Sequence, residues 1–153
     1  MKKGEIVYKI STATKEDVYK HLVICNDNFL PVLSLRTDIK EYAEKIVILS
    51  ITFEAWHDGL LAGLIAVYVN DPAGQVAFIT NVSVKKNLMG EGIASALLTK
   101  LIDYVTRKHF AEISLEVNKK NYPAIRFYGK FNFLQDGTSE DNLVMKKKLH
   151  TTI

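Results

Sequence analysis

The run Val82-Ser83-Val84-Lys85-Lys86-Asn87-Leu88-Met89-Gly90-Glu91-Gly92-Ile93-Ala94-Ser95-Ala96-Leu97-Leu98 passes from β-branched alternation, through a loop with two glycines, into an amphipathic helical pattern. Such a junction can hold a phosphate. The first N–H groups of a helix have no intrahelical partner and carry the positive end of the macrodipole. Gly90 and Gly92 let a ligand approach the backbone without meeting a Cβ. A nucleotide-like ligand is the expectation.

Upstream of the junction, residues 5–11 read as a strand, and Thr14 with Asp17 reads as the cap of a helix ending near Asn26. Residues 29–37, with Pro31, read as loop. Asp38 opens a second helix through Leu49, with Ile39, Tyr42, Ala43, Ile46, Val47 and Leu49 on its apolar side. Strands follow near 51–57, 60–69 and 75–84. The turns His57-Asp58-Gly59 and Asp71-Pro72-Ala73-Gly74 join them, and connections this short make antiparallel neighbours.

Downstream, Ala94, Leu97, Leu98, Leu101, Ile102 and Val105 recur at three and four, so 90–109 is predicted as a helix whose stripe is core. The strand ending near 118 is then reached by a crossover, which pairs it in parallel with 75–84. Residues 121–133 read as a helix running into a last strand. The fold class expected is α/β (α+β): a mixed, mostly antiparallel central sheet of about six to seven strands with helices on both faces.

Composition narrows the function. At 153 residues and 48% hydrophobic the chain can bury one sizeable core, and it has no linker-like tract, so 1–153 reads as a single domain. The net charge of +3 is modest, and Lys85-Lys86, Lys119-Lys120 and Lys146-Lys147-Lys148 read as solvated strand ends, so no nucleic-acid partner is expected. No stretch is apolar for long enough to span a membrane and nothing resembles a signal peptide, so no membrane partner is expected. Cys25 is alone, which fits a reducing cytoplasm. His21, His109 and His150 lack the spacing of a metal site, and no metal is expected.

Three kinds of phosphate-binding turn compete for residues 89–95. A P-loop needs Gly-Lys-Ser/Thr, and Gly92 is followed by Ile93-Ala94. A dinucleotide fingerprint would put Ser95 where Gly or Ala allows close packing of helix on sheet. The third pattern, Gln/Arg-x-x-Gly-x-Gly/Ala, aligns with Met89-Gly90-Glu91-Gly92-Ile93-Ala94 and resembles the pyrophosphate loop of the GNAT acyltransferase superfamily. Met89 replaces the usual Gln or Arg, which removes a side-chain hydrogen bond and leaves the backbone N–H groups in place.

A second segment resembles the same superfamily. Leu115-Glu116-Val117 is followed at the family's intervals by Asn121, Ala124 and Tyr128, and Asn132-Phe133 stands for the family's Gly-Phe. Asparagine can supply the left-handed conformation in place of the glycine. Together the two motifs cover about 76–133. The resemblance implies a splayed parallel strand pair whose cleft admits coenzyme A, and acetyl-CoA as the cosubstrate. It implies cofactor contacts from Val82, Val84, Met89, Gly90, Glu91, Gly92, Ile93, Ala94 and Asn121. Asn121 reads equally as an ordinary helix cap.

For catalysis, the resemblance implies Glu116 as base and Tyr128 as general acid to the leaving thiolate, twelve residues apart as in members that use both. On residues alone, Glu116 reads equally as a surface carboxylate, and Tyr128 as a ring packed with Phe127 and Phe131. The expected reaction is transfer of an acetyl group to a primary amine of a small molecule, with an amino sugar ahead of a protein N-terminus or lysine. Phe29, Arg36 and Trp56 are the candidate acceptor contacts, Arg36 for an anion and Trp56 for a sugar ring. A non-catalytic acyl-CoA-binding module is the rival class. A monomer or homodimer is expected.

Overall fold

The computed structural model describes residues 4–71, 73 and 75–149. In chain order these form β1 (Val7–Ile10), α1 (Lys15–Cys25), α2 (Ile39–Leu49), β2 (Ile51–His57), β3 (Leu60–Tyr68) and β4 (Val76–Val84). Then come α3 (Ile93–Arg107), β5 (Glu112–Asn118), α4 (Tyr122–Lys130), β6 (Leu134–Ser139) and β7 (Asn142–Lys148). Short 3-10 turns at Asn26–Asn28, Leu33–Leu35 and Lys86–Leu88 punctuate the loops. Pro72 and Gly74 of the expected turn lie outside the described residues.

The described strands make one sheet in the order β1-β2-β3-β4-β5-β7-β6, antiparallel except for β4 and β5. Alternation along each strand sorts the core to two faces. On one face α3 and α4 pack Leu97, Leu98, Leu101, Val105 and Tyr128 against Phe53, Ile65, Ile79, Ile113 and Leu115. On the other, α1 and α2 pack Val18, Leu22, Ala43 and Ile46 against Leu61, Leu64 and Ala66.

Local chemistry sets the ends of the helices. Thr14 and Asp17 form a reciprocal capping box at α1, and the Asp38 side chain accepts from Glu41 N at α2. At the end of α4, Asn132 N donates to Gly129 O and Phe133 N to Tyr128 O, with Asn132 at φ 68°. That is the Schellman arrangement, completed by an asparagine in the family's glycine position.

Two expectations shift. α3 starts at Ile93 and not at 90, because Gly92 caps it in the left-handed region. Leu49, read as part of the apolar side of α2, is 46% exposed.

The feature that positions the site is in β4. Its pairing with β5 runs only from Val76↔Glu112 to Ile79↔Leu115, while β5 continues along β7 as far as Asn118↔Asn142. Pairing with β3 persists to Gly63↔Val84 after a bulge that leaves Thr80 without an opposite number. Above Ile79, β4 therefore keeps one neighbour and has parted from the other.

Candidate active site

The register fixes which backbone groups face the split. Lys85 N donates to Ala62 O at 2.9 Å. In an antiparallel pair, residues alternate between facing the partner and facing away. Ser83 and Asn81 thus direct their backbone groups to β3, and the N–H groups of Val82 and Val84 point to the edge that β5 has left. Two N–H groups on one open edge, two residues apart, form a donor pair for a carbonyl oxygen.

Immediately beyond, the chain turns through Lys86–Leu88 and the glycine loop into α3. Gly90 has φ 83° and Gly92 φ 80°, a region that residues with a Cβ rarely enter. A Cβ built on either would meet nothing within 4 Å. The loop is therefore an open cradle of bare backbone, and its conformation demands glycine even before a ligand arrives. Ala96 N to Gly92 O, at 3.0 Å, is the first bond of the helix, so the N–H groups of Ile93, Ala94 and Ser95 have no intrahelical partner. This arrangement fits a pyrophosphate. Met89 is half exposed beside it.

Glu116 and Tyr128 flank the split from opposite faces. Ile113, Leu115 and Val117 of β5 point into the α3/α4 core with Tyr128, so Glu116 projects from the other face, where it is exposed. Its nearest hydrogen-bonding neighbour is Asn142, whose Nδ2 stands 3.5 Å from Glu116 Oε1. Tyr128 is 8% exposed, edge-on to Phe127 and Phe133 at centroid distances of 5.4 and 5.8 Å. Burial pushes its hydroxyl well above the ordinary tyrosine value, so it stays protonated at neutral pH. Asn121 caps α4 through Oδ1, which accepts from Ala124 N at 3.3 Å. Its amide nitrogen is not used by the cap.

The acceptor candidates separate. Phe29 and Arg36 lie together on the α1–α2 connection, with the guanidinium 5.8 Å from the ring centroid. Arg36 also faces the Tyr42 hydroxyl, which burial raises against the opposing effect of its bonds to Thr80 and Asn81 and of that charge. Tyr42 donates to Thr80 O at 2.7 Å, so this group adjoins the upper part of β4. Trp56 does not. It sits two strands away on β2, its Nε1 donating to Glu54 at 3.0 Å and its ring under Lys9. The structure does not bring Trp56 to the split, because period two places it on the side chain row of Thr52 and Glu54. On the same connection Leu33 is buried, while Leu35 is 81% exposed and Leu30 46%.

Two polar groups escaped the sequence reading. Glu54 is fully buried and accepts from Thr12, Ala13, Thr52 and Trp56. Burial opposes its charge, but those hydrogen bonds outweigh it and hold the carboxyl below its ordinary value. It ties the start of α1 to the sheet. His21 is 1% exposed and lies under the upper part of β4. The helical spacing of Val18, His21, Leu22 and Cys25 was the available signal for its burial.

With this geometry in place, comparison with known proteins is direct. The model of the acetyltransferase (GNAT) family matches residues 15–133, and the chain belongs to that family. Over 96 residues the chain is 29% identical to a Bacillus subtilis (strain 168) protein assigned as a ribosomal protein bS18-alanine N-acetyltransferase, covering 58% of this chain and 62% of that one. Over 58 residues it is 34% identical to streptothricin acetyltransferase A of the same organism, covering 38% of this chain and 34% of the relative. The matches thus span less than two thirds of either relative.

Solved structures agree in fold over nearly the whole chain. PaiA N-acetyltransferase from Thermoplasma acidophilum, in complex with coenzyme A, superposes with a TM-score of 0.73 at 18% identity, covering 93% of this chain and 99% of that one. The ribosomal-protein-S18-alanine N-acetyltransferase of Escherichia coli gives 0.72 at 20% identity, covering 95% and 96%.

Proposed function

We propose that this chain transfers an acetyl group from acetyl-CoA to a primary amine at the split between β4 and β5. The observation that carries the reading is that split itself, because it exposes the Val82 and Val84 N–H groups directly above a bare glycine cradle. Acetyl-CoA supplies the activated acyl group. Residues 89–94 hold its pyrophosphate by backbone N–H groups, Asn121 offers its amide nitrogen to the pantetheine arm, and Val82 and Val84 donate to the thioester oxygen as negative charge grows there.

The two faces of the sheet divide the proton work. An alkylammonium with an ordinary pKa is neutral only about once in 2,500 molecules at pH 7, so a base beside the acceptor raises the reactive fraction. Glu116, on the α1/α2 face, takes that proton directly or through water. The amine nitrogen bonds to the acyl carbon, the carbon–sulfur bond breaks, Tyr128 on the opposite face protonates the departing sulfur, and the second proton that the nitrogen loses on becoming an amide returns through solvent to the Tyr128 oxygen. A tyrosine kept protonated by burial suits that role. A pure binding module has no use for Glu116 and Tyr128 on the two sides of one opening.

The acceptor we propose is a small primary amine bearing an anionic group, with Arg36 and Phe29 as its contacts and an amino sugar as one such compound. A second reading, a polypeptide α-amine, draws support from the relative assigned as an alanine N-acetyltransferase, from the distance of Trp56, and from the open connection at Leu30 and Leu35. Thiol release from acetyl-CoA across amines, amino sugars and peptides at equal concentration decides between them. Efficient turnover of peptides beside inert small amines would replace the first reading with the second, and no turnover with any primary amine would overturn both.

A further inference from the structure

Residues 80–84 of β4 are held by a strand on one side only. A half-paired edge has fewer restraints than a doubly paired one, and a donor pair loses its value if it wanders. Two helices each deliver one polar side chain to this segment. From α2, Tyr42 donates to Thr80 O at 2.7 Å and meets Thr80 Oγ1 at 2.9 Å. From α1, His21 Nε2 stands 2.9 Å from Ser83 Oγ, and its Nδ1 stands 3.2 Å from Leu61 O of β3.

The hydrogens in the second contact can be assigned. Leu61 O only accepts, so Nδ1 carries a hydrogen and donates it. Burial, opposed by that backbone bond, lowers the imidazole to about 4, so the ring is neutral at pH 7 and Nε2 is a bare acceptor. Ser83 must then donate to His21. Its one hydrogen cannot also serve Asn81 Oδ1, which lies 2.8 Å from Ser83 Oγ, so the Asn81 amide is assigned turned over, with its nitrogen donating to Ser83 Oγ. That orientation also gives a partner to Asn81 Nδ2, which is otherwise buried without one. The chain runs Asn81 to Ser83 to His21 to Leu61, and it ties β4 to β3 through α1.

A histidine is a costly way to fill this place. Val18 and Leu22 are fully buried on the same face of α1, and an aliphatic side chain there would need no hydrogen bonds. We propose that His21 is a positioning residue for acetyl transfer, clamping the half-paired segment of β4 through Ser83 so that the Val82 and Val84 N–H groups keep their aim. This rests on the reading of those two groups as donors to the thioester.

The test compares His21→Leu with His21→Gln. Leucine can neither accept from Ser83 nor donate to Leu61 O, whereas a glutamine amide can do both. The leucine variant is expected to lose roughly 10- to 100-fold in kcat, with KM for acetyl-CoA within about threefold, since the glycine loop is untouched. Amide hydrogen exchange at Asn81 and Ser83, whose N–H groups bond to β3, should quicken while Ala77 and Ile79 hold, and glutamine should restore most of kcat. A leucine variant within about twofold of the parent per folded molecule, or a glutamine variant as slow as leucine, would overturn the proposal. If the leucine variant does not fold, Ser83→Ala removes the same clamp and carries the same expectations. Acetyl-CoA added to the parent protein without an acceptor amine separates the two levels. No protection at Val82 and Val84 defeats the donor reading itself, whereas protection with normal turnover in the leucine variant defeats the clamp alone.

Discussion

The lower and upper parts of β4, Val-Ala-Phe-Ile and Thr-Asn-Val-Ser-Val, are one continuous strand and do different work. Residues 76–79 all pair with β5, Phe78 and Ile79 pair with β3 as well, and Ala77 and Ile79 are sealed in the α3/α4 core. Residues 80–84 pair with β3 alone, carry the bulge at Thr80, and are pinned from above by Tyr42 and His21. Nothing in side-chain hydrophobicity distinguishes Ile79 from Val82. The difference lies in what the neighbouring strand does: β5 follows β7 and leaves β4, so one part of a single strand is scaffold and the other is a site. Function here comes from hydrogen bonds that the sheet declines to make.

The largest effect should come from the acid on the α4 side. Tyr128→Phe keeps the packed ring and removes only the proton, so turnover should fall roughly 10- to 1,000-fold while coenzyme A affinity stays near the parent value. An equal rate would make Tyr128 a core residue like Phe133. Glu116→Gln tests the opposite face, with an expected loss of roughly 10- to 100-fold for amines of high pKa and less for amines already neutral at the assay pH. Equal losses for both kinds of amine would leave Glu116 orienting the acceptor and not accepting its proton.

Stability provides the next comparison. The folded state holds the His21 imidazole at about 4 against an ordinary 6.5, so the unfolded chain binds more protons between those values. The contribution is complete above about pH 6.5 and declines as the pH falls toward 4, by on the order of 3 kcal/mol at most. Cys25 and Lys85 are the titratable groups facing the ring. Denaturant melts at pH 7 and pH 5 should show this slope in the parent and a shallower one in His21→Gln. An unchanged slope would mean that the ring is solvated.

The smallest effect concerns β3, opposite the upper end of β4 at Val84. A Cβ on Gly63 of β3 would stand 2.8 Å from Ile93 Cγ2 and 3.3 Å from Ala55 Cβ, so α3 lies against bare backbone there. Gly63→Ala should cost about 1–3 kcal/mol, read as a lowered denaturation midpoint, since overpacking displaces the first turn of α3. No change in midpoint would show that Ile93 repacks freely.

Much of this was legible in the sequence, for physical reasons that also mark the limits. Thr14 with Asp17, Asp38, the two glycines and Asn132 act within a few residues of themselves, and local rules predicted the caps and turns they make. The stripe of α3 followed from helical period alone. Trp56 could not be placed that way, because its partners Glu54 and Lys9 are a side-chain row and a neighbouring strand. His21 was judged by metal spacing, whereas its role depends on Ser83, sixty-two positions along the chain. The extent of the split was equally invisible, since it depends on where two strands stop pairing and leaves no mark in either.

The most direct measurement of the central claim is a titration of the protein with acetyl-CoA in the absence of an acceptor amine, followed residue by residue through backbone amide resonances. The account predicts large changes at Val82, Val84 and across 89–94, with Ala77 and Ile79 nearly still. Changes spread evenly along β4, or confined to another part of the sheet, would contradict it.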